Sequence, residues 1–80
     1  MTPNEALAEV RKDLSSAFGE ALADKILASA QSAARTPADG FDASHFALLL
    51  EMLCKDDRMV GMLGELGVRD RMKRWEKLLI

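Results

Sequence analysis

The sequence predicts an all-α fold, a compact bundle of four or five short helices, and three observations carry that prediction. Ala, Leu, Glu, Lys, Arg and Met dominate the chain, so local preference favours helix almost throughout. Tyr is absent and β-branched residues are few, so no strand is expected. Apolar residues recur at intervals of three and four, the spacing of one face of a helix.

The first helix is announced by Thr2-Pro3-Asn4-Glu5. The Thr2 hydroxyl can accept from the Glu5 amide while the Glu5 carboxylate reaches back, and Pro3 stands where no amide hydrogen is needed. Leu7, Val10, Leu14 and Phe18 form its apolar stripe, and Glu5, Glu9 and Asp13 line a face expected to be solvated. Gly19 interrupts the pattern before Ala21, Leu22, Ile26 and Ala30 resume it. A break near Gly19 is therefore expected, in preference to one long helix carrying a costly glycine. The second piece, Glu20 to Ala34, is rich in Ala and Ser, which lets a neighbouring helix approach closely.

Thr36-Pro37 and Asp39-Gly40 mark the one clear loop, Arg35 to Phe41. Asp42 then reads as an N-cap, with Phe41 before it and Phe46 after it placed as a hydrophobic staple. The third helix, Ala43 to about Lys55, is apolar nearly all round, since Glu51 alone is polar between Phe46 and Cys54. Such a helix must be surrounded, either by its own neighbours or by a second subunit or partner protein on one flank. Phe46, Leu49, Leu50 and Leu53 are expected at the centre, packed by the first-helix stripe, Ile26, Leu63, Met72 and Trp75.

Asp56 or Asp57 can cap a fourth helix, Arg58 to Leu66, which Gly67 is expected to end as a left-handed residue, with Val68 meeting Leu63 in a Schellman motif. Gly61 and Gly64 share a face inside that helix and read as the site of a close helix contact. The last segment, Asp70 to Leu79, carries Met72, Trp75 and Leu79 on one stripe and Lys73, Arg74 and Lys77 elsewhere on its circumference. The chain stops on Leu78-Leu79-Ile80 without a cap, compatible with one domain of a longer protein.

The 80 residues make one domain, 1–80, with 49% hydrophobic and 30% charged residues, a globular composition. A chain of this size buries only about 60% of the surface its unfolded form exposes, so the core is thin and a partner would add stability. Charge is uneven: residues 1–56 hold five Lys/Arg against nine Asp/Glu, and residues 57–80 hold six against four. The two parts are poised to attract each other. A lone cysteine, Cys54, in an apolar run excludes a disulfide scaffold, and it is expected to be a buried, inert thiol in a reducing, cytoplasmic setting. No stretch approaches the roughly 20 apolar residues of a membrane span.

Catalytic chemistry is not expected. One His and one Cys, with no CxxC or HxxxH spacing, cannot assemble a metal site, and no cofactor motif is present. His45 sits in the first turn after Asp42, where a surface or capping role fits best. Gly61-Met62-Leu63-Gly64 lacks the Lys and Ser/Thr that a phosphate-binding loop requires. The functional expectation is a non-catalytic interaction or regulatory adaptor module, a homodimer in the simplest case. Its contacts would come from the third helix and the Met-rich fourth, through Leu48, Met52, Met59 and Met62. Flexible thioethers suit adaptable surfaces, although core filling is their commoner use.

Arg58 to Leu79 also looks like the helix-turn-helix arrangement of small DNA-binding domains: a short helix ending in Leu66-Gly67-Val68, a turn, then a basic helix. That resemblance covers about a quarter of the chain, and it implies DNA contacts from Arg69, Arg71, Lys73, Arg74 and Lys77. Asp70 and Glu76 interrupt the basic face, and two glycines weaken the first of the two helices. A membrane-surface role for the C-terminal segment is ranked last, because ten residues with one Trp give little anchoring area.

Overall fold

The predicted helix starts are made by the residues expected to make them. Thr2 Oγ1 accepts from the Glu5 amide at 3.2 Å and Glu5 Oε1 accepts from the Thr2 amide at 3.0 Å, completing a capping box. At the third helix, Asp42 Oδ1 accepts from the His45 amide at 3.0 Å, and the Asp42 amide donates back to His45 Nδ1 at 3.2 Å. His45 is thus a capping residue, and Phe41 meets Phe46 edge-on, ring centroids 6.4 Å apart, as the staple requires. In a computed structural model that describes residues 1–36 and 40–79, four helices follow in order: α1 (Pro3–Phe18), α2 (Glu20–Ala34), α3 (Ala43–Cys54) and α4 (Asp57–Glu76). A single 3-10 turn, Lys77–Leu79, closes the described chain. Pro37 and Asp39, half of the predicted loop chemistry, lie outside the described residues.

Gly19 breaks the first helical region as expected, and its backbone shows why glycine stands there. At φ 85° and ψ 156° it occupies a region that side-chain-bearing residues avoid, so one residue turns α1 into α2. Helices adjacent in sequence pack as neighbours in space, and the terminal turn comes back to α1. The Cα radius of gyration, 11.5 Å, matches the roughly 11.6 Å expected of a compact chain of this length.

The core is one cluster drawn from all four helices. Val10 and Leu14 come from α1, Ile26 and Leu27 from α2, Phe46, Leu49, Leu50 and Leu53 from α3, and Met59, Val68 and Trp75 from α4. Ala23, Ala30 and Ala34 are buried as well, consistent with the close packing foreseen for the small residues of α2. The apolar third helix is wrapped by its own neighbours, with Leu48 its one large apolar residue left exposed.

In the second half one open alternative is decided and two expectations are corrected. Asp56, rather than Asp57, caps α4, accepting from the Arg58 amide at 2.8 Å. The break in α4 falls at Gly64 (φ 74°, ψ 166°), not at Gly67, whose φ is not positive. Gly61 and Gly64 permit no close helix contact, since a Cβ added at either would meet nothing within 4 Å. Gly67 instead supplies the close approach: a Cβ there would lie 3.1 Å from Leu63 Cβ. Two glycines therefore share one bend, Gly64 through its dihedral angles and Gly67 through its missing side chain.

Candidate interaction surface

Bending α4 at Gly64 turns its second half back toward α1 and sets the exposure of every residue nearby. Met62 and Leu66, on either side of the bend, remain 63% and 74% exposed. Leu48 on α3 is 39% exposed, Met52 is half-buried, and Met59 is 0% exposed. Of the four residues predicted to meet a protein partner, Leu48 and Met62 present surface and Met52 presents a part of itself. Met59 is corrected to a core residue, because the first half of α4 turns it inward among the α3 leucines. Leu66 was missed. Its spacing from Lys73, seven residues on, marks the solvent side only with the bend at Gly64, since a helix ending at Gly67 leaves Leu66 in one stripe with Met59 and Leu63.

The basic residues divide in the same way. Arg69, Lys73, Arg74 and Lys77 are exposed, and among the described residues none has a carboxylate within ion-pair distance. Arg71, the fifth predicted DNA contact, is corrected to a structural residue. Its guanidinium donates to Asp13 Oδ1 at 2.7 Å, and the Trp75 indole N–H donates to the other oxygen, Oδ2, at 2.9 Å. Asp13 is accordingly no part of a solvated acidic face. It ties α1 to the second half of α4, and the attraction expected between the acidic and basic parts of the chain takes this specific form. Glu5 and Glu9 stay exposed.

A second charged cluster fixes the start of α4. Asp56 accepts from the Arg58 amide, from Nε at 3.1 Å and from Nη2 at 2.8 Å, and the same Nη2 reaches Ser29 Oγ on α2 at 3.1 Å. The hydrogen bonds from the Arg58 side chain, then those from backbone amides, hold the Asp56 carboxyl below its ordinary 3.8. Glu5 and Asp42 are lowered too, first by the backbone amides they cap.

Two open clefts flank the second half of α4. One, about 350 Å³, lies between α1 and α4 and is lined by Glu9, Lys12, Ser16, Arg74 and Leu78 around the Asp13–Trp75 contact. The other, about 430 Å³, lies under the bend, with Val60, Val68 and Met72 as its apolar lining and Glu65, Arg69 and Glu76 at its rim. Cys54 opens into this second cleft and is exposed, which corrects the expectation of a buried thiol. It stands at the end of α3 on the flank away from Leu49 and Leu53. No histidine lines either cleft.

Among the described residues no group of three or more His, Cys, Asp or Glu is placed to hold a metal ion, and no helix is long and apolar enough to cross a membrane. Compared with known proteins, the chain matches no family model, no curated protein and no solved structure.

Proposed function

We propose that this chain is a non-catalytic interaction module that works by self-association, with the outer side of the α4 bend as its contact surface. The observation that carries this reading is the exposure of Met62 and Leu66 beside Gly64, the two most exposed large apolar side chains among the described residues. Leu48 is the accessory contact on α3. A cytoplasmic homodimer is the form in which such a module works most simply. Sedimentation equilibrium tests it: reversible association at micromolar concentration is expected, weakened at least tenfold by Met62→Glu with Leu66→Glu. A strict monomer at all concentrations sinks it.

The helix-turn-helix reading keeps one favourable observation, the four exposed cations Arg69, Lys73, Arg74 and Lys77 without carboxylate partners among the described residues. Glu65, Asp70 and Glu76 share their exposed arc and reduce the field they can offer a phosphate backbone. Titration with duplex DNA at two salt concentrations separates the readings, since binding through these cations must weaken steeply with salt.

A further inference from the structure

We infer that Gly64 is the hinge of a domain exchange: α4 straightens, and its second half, with Val68, Arg71 and Trp75, docks on α1 of a second copy of this chain. The inference deepens the self-association proposed above and rests on it, naming the partner as an identical chain and the mode as exchange.

The argument begins with the glycines. Gly61, Gly64 and Gly67 recur every third residue, yet only two serve the folded-back form. Gly64 holds φ 74° and ψ 166°, and Gly67 leaves room for Leu63. Both requirements disappear when α4 runs straight, because every residue then takes helical angles and residues 63 and 67 stand a full turn apart. The segments on either side of Gly64 are already helical, so straightening changes one residue's conformation and melts nothing.

The sequence pattern across the bend points the same way. Met59, Met62, Leu63 and Leu66 are spaced i, i+3, i+4 and i+7, the stripe of one helix face, but the bend interrupts it. It leaves Met59 buried and Leu66 74% exposed. In a straight α4 the four lie in register, and Met62 and Leu66 extend a stripe that the second copy covers.

The occupant follows from what straightening exposes. Val68 and Trp75 leave the core, and Asp13 loses both the Arg71 and the Trp75 contact. Those groups fit the vacated side of an identical chain atom for atom, because the exchanged interface is the one the chain already makes with itself. A different protein would have to reproduce it.

The test is a set of variants at position 64 and its neighbours, followed by analytical ultracentrifugation with Trp75 emission. Gly64→Ala and, more weakly, Gly67→Ala are expected to shift the chain toward dimer with Trp75 still buried. Gly61→Ala, which serves neither requirement, leaves the wild-type equilibrium unchanged. D-alanine at position 64, introduced by chemical synthesis, favours the positive φ and holds the monomer.

Exchange is then distinguished from surface contact by mixing Asp13→Arg with Arg71→Asp in the Gly64→Ala background. In an exchanged heterodimer one interface regains its ion pair reversed and the other is native, so heterodimer must exceed the statistical half. Should Gly64→Ala fail to fold, the same mixture in the wild-type background, at the concentration where wild type associates, gives the answer. A Gly64→Ala variant that stays monomeric with Trp75 buried overturns the exchange, and so does a dimer with no preference for the mixed pair. The second result leaves self-association through Met62 and Leu66 standing. Dimerisation of Gly64→Ala alone, with a monomeric wild type, supports the hinge and removes the functional reading.

Discussion

Asp13 and Trp75 lie 62 positions apart in sequence, and one carboxylate oxygen of the first accepts the indole N–H of the second at 2.9 Å. The other oxygen takes the Arg71 guanidinium, so a single side chain of α1 satisfies two donors of α4. Removing it leaves both unsatisfied at a partly buried site, where each unmet donor costs on the order of 1–3 kcal/mol. Asp13→Ala is therefore expected to destabilise the chain by about 2 kcal/mol, and Trp75→Phe, which keeps the ring's packing, by about 1 kcal/mol. Urea unfolding followed by circular dichroism measures both. Equal and negligible losses would show that the pair contributes nothing.

The glycines make opposite predictions at two positions. At Gly19 (φ 85°) space is open but the dihedral angle is wrong for a side chain, so Gly19→Ala is expected to cost about 1–3 kcal/mol. At Gly61 the space is equally open and the backbone is helical, so alanine there stabilises by up to about 1 kcal/mol. Two denaturation curves decide the point, and destabilisation by Gly61→Ala would contradict the helical geometry assigned to that residue.

Acid should unfold this chain through its caps. Glu5, Asp42 and Asp56 are held below their ordinary values of 4.5, 3.8 and 3.8, by the Thr2 amide, the His45 amide and the Arg58 side chain respectively. A carboxyl whose folded value is depressed stabilises the fold fully above its unfolded value and loses that contribution as pH falls through the folded one. Stability is thus expected to be flat from these groups above about pH 5 and to decline below pH 4. Asp56→Asn should make that decline shallower. Identical slopes for variant and wild type between pH 4 and pH 2.5 would rule Asp56 out as a contributor.

Cys54 should behave as an accessible thiol. It opens into the cleft under the bend, beside Val60 and Met72, so a maleimide or disulfide reagent is expected to label it in the native protein without prior unfolding. Labelling whose rate tracks global unfolding across a urea series would place it in the core instead.

Legibility in the sequence followed the range of the interaction. Thr2, Glu5, Asp42 and Phe41 were readable because a cap or staple involves residues within five positions of one another. The break at Gly19 and the burial of Phe46, Leu49, Leu50 and Leu53 were readable because helical spacing assigns a face. Where several residues satisfied the same local rule, the local rule could not choose among them. Glu5, Glu9 and Asp13 form one acidic stripe, and only the return of α4 to α1 makes Asp13 different. Leu66 and Met59 share a stripe in a straight helix, and the bend sends one to solvent and the other to the core.

By itself, then, the sequence determined that this chain is helical, where its first three helices begin and which stripe of each faces inward, because hydrogen bonding within a turn and apolar periodicity are local properties. Tertiary structure alone decided that α4 bends at Gly64 rather than ending at Gly67, and with it the exposure of Leu66 and Cys54. Any of the three glycines of α4 can accept a bend. Which one does depends on bringing Val68 and Trp75 into the core and Arg71 and Trp75 onto Asp13, contacts between residues more than fifty positions apart.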